Sequence, residues 1–388
     1  MFPLRKNNPL GIATAGGDHF RNEYSLEFDG TDSYVEVADD SSLDLTTGFT
    51  ISAWIKKTDI GYGWIVQKGT GNYKLDIGYS GEIRLRVWHD GGTYKELEIM
   101  SVDYSDSTWH HIIGTYTAST SLKIYGDGVL LGTNTTSIPG TLDDSSDSLF
   151  FGAYGGTSYF FEGNIDEVAI WDTALTSNQV KTLYNGREPF NAKNIALSNL
   201  KGYWRMGDGV LDHKQTDGLV ADQVNATLGS EMWNNDYSSG TGNWLAKGDN
   251  TLTNPSSGII KLEYDNDSNG MEIELSDDVG QGDLTSDLTI GQVYKWQFDA
   301  YIDGGDESVG WNILNNGWEV GIITVTSTTF TTYTYYFTAA RTVPKVELTS
   351  FGAGENIYLK NFSLKEINGN AGVMVSFDGS DFKTDVPS

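Results

Sequence analysis

Paired carboxylates are the first groups in this sequence that could do chemistry. Retaining glycoside hydrolysis needs an acid and a nucleophile about 5 Å apart, and on a strand only alternate positions share a face. The segment FEGNIDEVAIW offers Glu162, Asp166 and Glu167. Asp166 and Glu167 are neighbours, so a regular strand sends them to opposite faces, and no catalytic pair is expected. No GxSxG elbow and no P-loop occurs. The lack of cysteine excludes disulfides, thiolate zinc sites, iron–sulfur clusters and thiol catalysis. The histidines are His19, His89, His110, His111 and His213, and none has HExxH spacing. DNDSNG, from Asp265 to Gly270, opens like an EF-hand loop, but its closing position is Ser276 where a bidentate Glu is needed. A hairpin turn between KLEY and MEIEL is the expected reading. These absences point to a binding protein that is not an enzyme.

Saccharide recognition is the chemistry the residue types favour. Aromatic faces stack on the C–H surfaces of sugars, and Asn, Asp and Gln take the hydroxyls. Trp311 and Trp318 flank the polar run NILNNG, which sets Asn315 and Asn316 beside them. Tyr336, on the polar face of its strand, could join that platform. Earlier in the chain Trp88, Tyr94, Tyr154 and Tyr159 fall in turn-rich segments. Each ring has a plain alternative, packing in a core or at a rim. With 11 Trp in the chain, most must be core.

Composition narrows the setting. Aromatic residues make up 12% of the 388, more ring area than a disordered chain carries. The formal net charge of −28, from 53 acidic and 25 basic residues, repels nucleic acid and anionic lipid at long range. That charge reads either as a solubility device or as a set of carboxylate cation sites. The start, MFPLRKNNPLGIATAGG, has Arg5 and Lys6 but no apolar run of signal-peptide length, so no signal peptide is expected. No stretch is apolar enough to span a membrane, and no membrane insertion is expected.

The elements that must hold these residues are short strands. In FTISAWIKK, Phe49, Ile51, Ala53 and Ile55 fall on one face, with Thr50, Ser52, Trp54 and Lys56 on the other. VYKWQFDA turns Tyr294, Trp296, Phe298 and Ala300 inward, and TTYTYYFT does the same with Tyr333, Tyr335 and Phe337. Asp127-Gly128, between two alternating runs in LKIYGDGVLLG, predicts a tight hairpin. One helix is expected, in LTSNQVKTLYNG. Thr176 and Gln179 form a capping box, Val180, Leu183 and Tyr184 the apolar face, and Gly186 the stop. Such a short helix is expected to plug one end of a sandwich. The pattern predicts an all-β fold: two jelly-roll β-sandwich domains in tandem, with one short helix in the first.

Taken together, SLEFDGTDSYVEV, LTTGFTISAWIK, TWHHIIGTY, LKIYGDGVLLG and FEGNIDEVAIWDTALTSNQVKTLYNG resemble the laminin-G-like, concanavalin-A-like jelly roll. The stretch from about Ser230 to Asn368 resembles a family 4/9-type carbohydrate-binding module with a galactose-binding-like jelly roll. The motifs that carry this are NNDY followed by Trp244, LTIGQVYKWQFDAYI, TTFTTYTYYFTA and NIYLKNFSLKEI. It departs from that family where an acidic residue often supports a structural calcium: the position before Asn361 is Lys360. The expected organisation is an N-terminal arm over 1–23, a first jelly roll over 24–228, a second over 229–368 and a C-terminal tail over 369–388.

The laminin-G-like resemblance implies a calcium ion at a rim, with Asp29, Asp32 and Asp166 as its ligands. The plain alternative makes Asp29-Gly30 a turn and Asp166 a carboxylate bonded to backbone N–H groups. The glucanase branch of the same fold uses ExDxxE or ExDxE, a spacing that Glu162, Asp166 and Glu167 do not have. The module pair and the ending SFDGSDFKTDVPS resemble structural proteins of marine bacteriophages. That resemblance implies a virion surface protein of head or tail that binds glycans. It would dock on capsid or tail proteins through the N-terminal arm and form a homo-oligomer. A purely architectural virion protein, a secreted glycan-binding accessory module and a degenerate glycosidase remain the alternatives.

Overall fold

The computed structural model describes residues 22–387 apart from 70, 210–211, 213–218, 225–226, 248–249, 264–268, 304–308, 316–317, 350–355 and 376–380. The side chains of 219, 269, 309, 318–322, 349, 373 and 375 also lie outside the description. Most of the N-terminal arm, the DNDSNG segment up to 268 and most of SFDGSD therefore fall outside it.

The fold is all-β, built from sandwiches, with the α-helix Ser177–Tyr184 in the first. One sheet of the first sandwich runs, in spatial order, Val129–Asn134, Ser121–Gly126, His110–Thr117, Gly48–Lys57, Glu162–Trp171, Ser25–Asp29 and Phe382–Lys383. Leu200–Trp204 also pairs with Glu162–Trp171. The facing sheet runs Leu219–Val220, Gly372–Val375, Tyr34–Val37, Leu149–Phe151, Gly63–Lys68, Tyr73–Ile77, Ile83–His89 and Thr93–Ile99. Alternation decides what lies between them. Phe49, Ile51, Ala53 and Ile55 pack against Tyr73, Leu75, Ile77, Leu85 and Val87 in a closed apolar core, as the period of two requires. Asp127 and Gly128 both take positive φ, 50° and 75°, at the expected hairpin.

The second sandwich packs a six-stranded sheet, which includes Val293–Asp303, Thr331–Thr338 and Asn356–Asn368, against a five-stranded one, which includes Val309–Leu314 and Lys345–Thr349. Its core holds Trp296, Phe298, Trp311, Tyr335 and Phe337.

The C-terminal stretch is not the expected tail. Gly372–Val375 pairs with both Tyr34–Val37 and Leu219–Val220, and Phe382–Lys383 pairs with Ser25–Asp29. Trp204 Nε1 donates to Asn370 O at 2.6 Å, and Trp109 Nε1 donates to Asp385 at 2.9 Å. The second sandwich thus leaves the first after Leu219–Val220 and returns at the strand paired with it. It is a side insertion, and the last strands complete the first sandwich.

The helix also differs from its expected place. The Thr176–Gln179 capping box forms, and Asn185 closes the helix in the left-handed region at φ 46°. But Val180 and Leu183 pack on Ile113, Tyr125, Ala169 and Trp171, the outward alternates of the core residues Ile112, Ile124 and Ile170. The helix covers a sheet face and does not plug an end, because that face carries an apolar stripe of its own.

Candidate functional site

The uncovered face of the first sandwich belongs to the other sheet. Tyr73, Leu75, Ile77, Ile83, Leu85 and Val87 fill the core, so the strands Tyr73–Ile77 and Ile83–His89 turn Lys74, Asp76, Arg84, Arg86 and Trp88 outward. The register sets Asp76 opposite Arg84, Lys74 opposite Arg86, Arg86 opposite Glu96 and Trp88 opposite Tyr94. Lys74 lies 3.0 Å from Asp76 Oδ1, Arg84 Nη2 bonds Asp76 Oδ2, and Arg86 reaches Glu96 at 2.6 Å. Arg86 also lies over the ring of Tyr94, 4.2 Å from its centroid.

Asp76 is 0% exposed and Lys74 2%, although both leave the core side of the sheet. The cause is an aromatic cover. Residues 152–161 connect Leu149–Phe151 to Glu162–Trp171, bridge onto themselves at Tyr154 and Ser158, and tie down through Trp64 N to Tyr159 O at 3.2 Å. This lays Tyr159 on Trp64, stacked at 5.6 Å and 10°, with Tyr154 edge-on to Trp64 at 4.6 Å. Tyr62 meets Tyr159 and Tyr79 edge to face at 5.6 and 5.3 Å. Lys74 Nζ sits 4.0 Å over the Trp64 ring, and Arg84 lies 4.9 Å from the Tyr62 centroid. Tyr79 and Tyr159 keep 63% and 48% of their surface in water. Burial pulls the Lys74 ammonium below its ordinary range against the pull of Asp76, with Arg86 adding to the fall. Burial also works against the Arg84 charge, but Asp76, a hydrogen bond with Tyr62 and the charge of Glu96 together outweigh it and hold the guanidinium above its usual value.

Tyr159 has φ 52°. A bulky residue in the left-handed region costs roughly 1–2 kcal/mol and persists only where its surroundings over-determine it. Here the strained backbone accompanies a half-exposed ring that lies flat on a tryptophan and is tied by the Trp64 N–H to Tyr159 O. The result is a wall of rings that can take C–H surfaces, beside carboxylate, ammonium and guanidinium groups that can take hydroxyls.

Of the four first-sandwich rings named from sequence, Tyr154 and Tyr159 fall in this wall, and Trp88 and Tyr94 meet on the same face at 6.3 Å. Tyr62, Trp64, Tyr79, Lys74, Asp76 and Arg84 were missed. The signal for Lys74, Asp76 and Arg84 was the run of charges at alternate positions in YKLDI and IRLRVWH, between core residues.

Among the described residues, Trp311, Asn315 and Tyr336 of the expected second-sandwich platform are buried and offer no exposed ring or amide. Trp311 is 0% exposed and wedged among Trp296, Phe298 and Trp244. Asn315 is buried and accepts from Ala340 N at 2.7 Å while donating to Thr338 O at 2.6 Å, so it ties two segments together. Tyr336 does face away from the core, but it is buried among Val293, Ile367 and Ala371 where the chain passes back to the first sandwich. Asn316 and the Trp318 side chain lie outside the described residues. That sandwich has a polar cleft of about 370 Å³ lined by Asn234, Asn243 and Asp278, among others. Its Asp283 carboxylate is already taken by Tyr237 Oη at 2.9 Å and Asn243 Nδ2 at 3.0 Å.

The expected calcium ligands do not come together. Asp29 accepts from the backbone of Thr31, Asp32 and Ser33 and from the Ser33 hydroxyl, a turn that holds its carboxyl below the usual range against slight burial. Asp32 is exposed. Asp166 is fully buried and lies four positions along the strand from Glu162, the register partner of Asp29, about 13 Å away. Among the described residues no group of three His, Cys, Asp or Glu is placed to hold a metal.

Asp166 and Glu167 also break the alternation expected of them. A bulge between Asp166 and Ala169, with Glu167 at φ 49°, buries both acids. Asp166 accepts from Asn22 Nδ2 at 2.8 Å, and Glu167 accepts from Tyr203 Oη and from Arg205 Nε at 3.0 Å. Burial raises both carboxyls. Glu167 is pushed up to about 7 against the pull of Arg205, and Asp166 rises well above the usual range with Glu167 adding to the effect. The adjoining cavity, lined by Ser52, His111, Glu167 and Tyr203, is about 10 Å³ and has room for a single water.

Residues 29–181 match the family model described as the concanavalin A-like lectin/glucanases superfamily. A curated rat (Rattus norvegicus) protein, "Sushi, von Willebrand factor type A, EGF and pentraxin domain-containing protein 1", is 29% identical over 175 residues. The match takes in 41% of this chain and 5% of that protein. A heptameric SAP-like pentraxin from Limulus polyphemus is similar in structure at 16% identity and TM-score 0.34, over 42% of this chain and 82% of that one. Domain 4 of an extracellular arabinanase from Geobacillus stearothermophilus, solved with arabinotriose, is similar at 20% identity and TM-score 0.34, over 41% and 76%. The first sandwich has the concanavalin A-like lectin fold.

Proposed function

We propose that the first sandwich binds a saccharide at the face formed by Tyr62, Trp64, Tyr79 and Tyr159 beside Lys74, Asp76 and Arg84, and releases it uncleaved. The observation that carries this is Tyr159, half-exposed and stacked on Trp64 with its backbone in the left-handed region. The lectin-type fold supports the same reading. Cleavage has no support at this face. The acids with raised pKa, Asp166 and Glu167, are buried in the other sheet, and Glu167 adjoins a cavity with room for one water.

A glycan array with the purified chain, scored together with released reducing sugar, tests the reading. Binding without release, weakened in Tyr159→Ala and Tyr79→Ala, is expected. Released sugar, or binding indifferent to both substitutions, would sink it. Display on a virion, docked through residues 1–23, is the setting that the sequence resemblance supports. Probing purified particles with an antibody to the chain tests that setting. Particles that carry the chain but show no affinity for any saccharide would favour the architectural alternative.

A further inference from the structure

We propose that the saccharide taken at this face is anionic, and that Arg84 is the residue that reads its negative group. The inference rests on the saccharide-binding reading above and adds the ligand's charge.

Lys74, Asp76 and Arg84 sit together beneath the aromatic cover, and their charges leave one positive charge over. The neighbouring pair Arg86–Glu96 is balanced. Glu98 faces Arg84 in the register but is exposed to water. An uncompensated charge taken out of water is costly, and structures retain one where something else supplies the counter-charge.

Arg84 Nε adds an independent sign. It is buried and its N–H meets no acceptor, and a buried donor left unpaired calls for a partner. Asp76 bonds Arg84 through Oδ2, while its Oδ1 lies 3.0 Å from Lys74 Nζ without a hydrogen bond of its own. Within the triad Arg84 is the least buried, at 12% side-chain exposure against 0% and 2% for Asp76 and Lys74, so it is the group a ligand reaches. A guanidinium presents a planar fork that matches a carboxylate or sulfate, and the pair is charge-assisted. The rest of the molecule carries the opposite sign, at −28 overall. Cations gathered on one face of such a chain are a local departure from its composition.

Titration calorimetry of the full chain with dextran, polygalacturonate and dextran sulfate tests the proposal. These probes are neutral, carboxylated and sulfated. Anionic polymer is expected to bind at least about tenfold more tightly than dextran. Arg84→Lys, which keeps the charge and loses the fork, should remove most of that preference, lowering the affinity for anionic polymer far more than that for dextran. Carboxylated and sulfated arms tell which anion is read. Equal binding of all three polymers, still lost in Tyr159→Ala, would overturn the anion proposal while the saccharide reading stands. No binding to any probe would overturn both. If Arg84→Lys does not fold, Glu98→Gln serves, since removing an exposed like charge should tighten anionic polymer about twofold and leave dextran unaffected. No change in that variant for anionic polymer counts against the proposal.

Discussion

Each sheet of the first sandwich buries a charged cluster on its outer side, and the two clusters are finished in opposite ways. On one sheet Glu167 pairs with the guanidinium of Arg205 while its neighbour Asp166 is met by Asn22, leaving an excess of acid. The chain closes over that cluster with Asn22, Tyr203 and Arg205, and the remaining charge is relieved by retained protons. On the other sheet Lys74 and Arg84 share Asp76, leaving an excess of positive charge. Here burial loosens the Lys74 proton, the Arg84 guanidinium cannot shed its own near neutral pH, and the cluster is roofed by tyrosines that stay half in water. One face is sealed and self-sufficient; the other is open and lacks a counter-charge. The difference teaches that burial of charge alone does not mark a site. What marks it is whether the surroundings complete the charge.

Breaking the sealed side should have the largest effect. Arg205→Ala leaves buried Glu167 without its cation and is expected to cost about 3–5 kcal/mol in urea unfolding, with saccharide affinity retained in the folded fraction. Unchanged stability with lost affinity would reverse the roles assigned to the two faces.

The next effect is a pH dependence. Folded Glu167 titrates at about 7 against an ordinary 4.5. Between those values the folded chain keeps a proton that the unfolded chain has released, so its contribution to stability is fullest below 4.5 and is lost as pH rises through 7. The stability of wild type relative to Glu167→Gln should therefore fall by about 3 kcal/mol from acid to pH 8. A difference that stays flat with pH would show that Glu167 does not hold that proton.

On the open side, Tyr159→Gly should lower saccharide affinity about tenfold while stability shifts by less than about 1 kcal/mol, because relief of the left-handed strain offsets the lost ring packing. A variant that unfolds instead would place Tyr159 among the structural rings. The smallest effect expected is none: a calcium chelator should leave affinity and melting temperature unchanged, since Asp29, Asp32 and Asp166 do not assemble. A drop in either on chelation would restore a cation to the fold.

Local pattern made much of this fold legible. The alternations of Phe49, Ile51, Ala53 and Ile55 and of Tyr294, Trp296, Phe298 and Ala300 select one face each, and the capping box of Thr176 and Gln179 is satisfied within four residues. What escaped was non-local or against the period. Gly372–Val375 and Phe382–Lys383 are too short to announce themselves and find partners more than 300 residues away for Tyr34–Val37 and Ser25–Asp29. The bulge at Asp166 defeats the rule that neighbours face apart. Trp311 and Tyr336 look like loop or surface rings because their burial depends on the opposing sheet and on the returning chain. The saccharide face gathers Tyr62, Tyr79 and Tyr159 from separate turns, and no window of sequence holds all three.

The pairing of Ser25–Asp29 with Phe382–Lys383 also fixes how the molecule carries mechanical load. Tension applied between its two ends falls first on two adjacent short strands, where the bonds open one after another like a zipper. The inserted sandwich leaves and returns through the neighbouring strands Leu219–Val220 and Gly372–Val375, so it lies off the line of force until Gly372–Val375 has peeled away. Held by one end, the same chain would present its aromatic face with neither sandwich under strain.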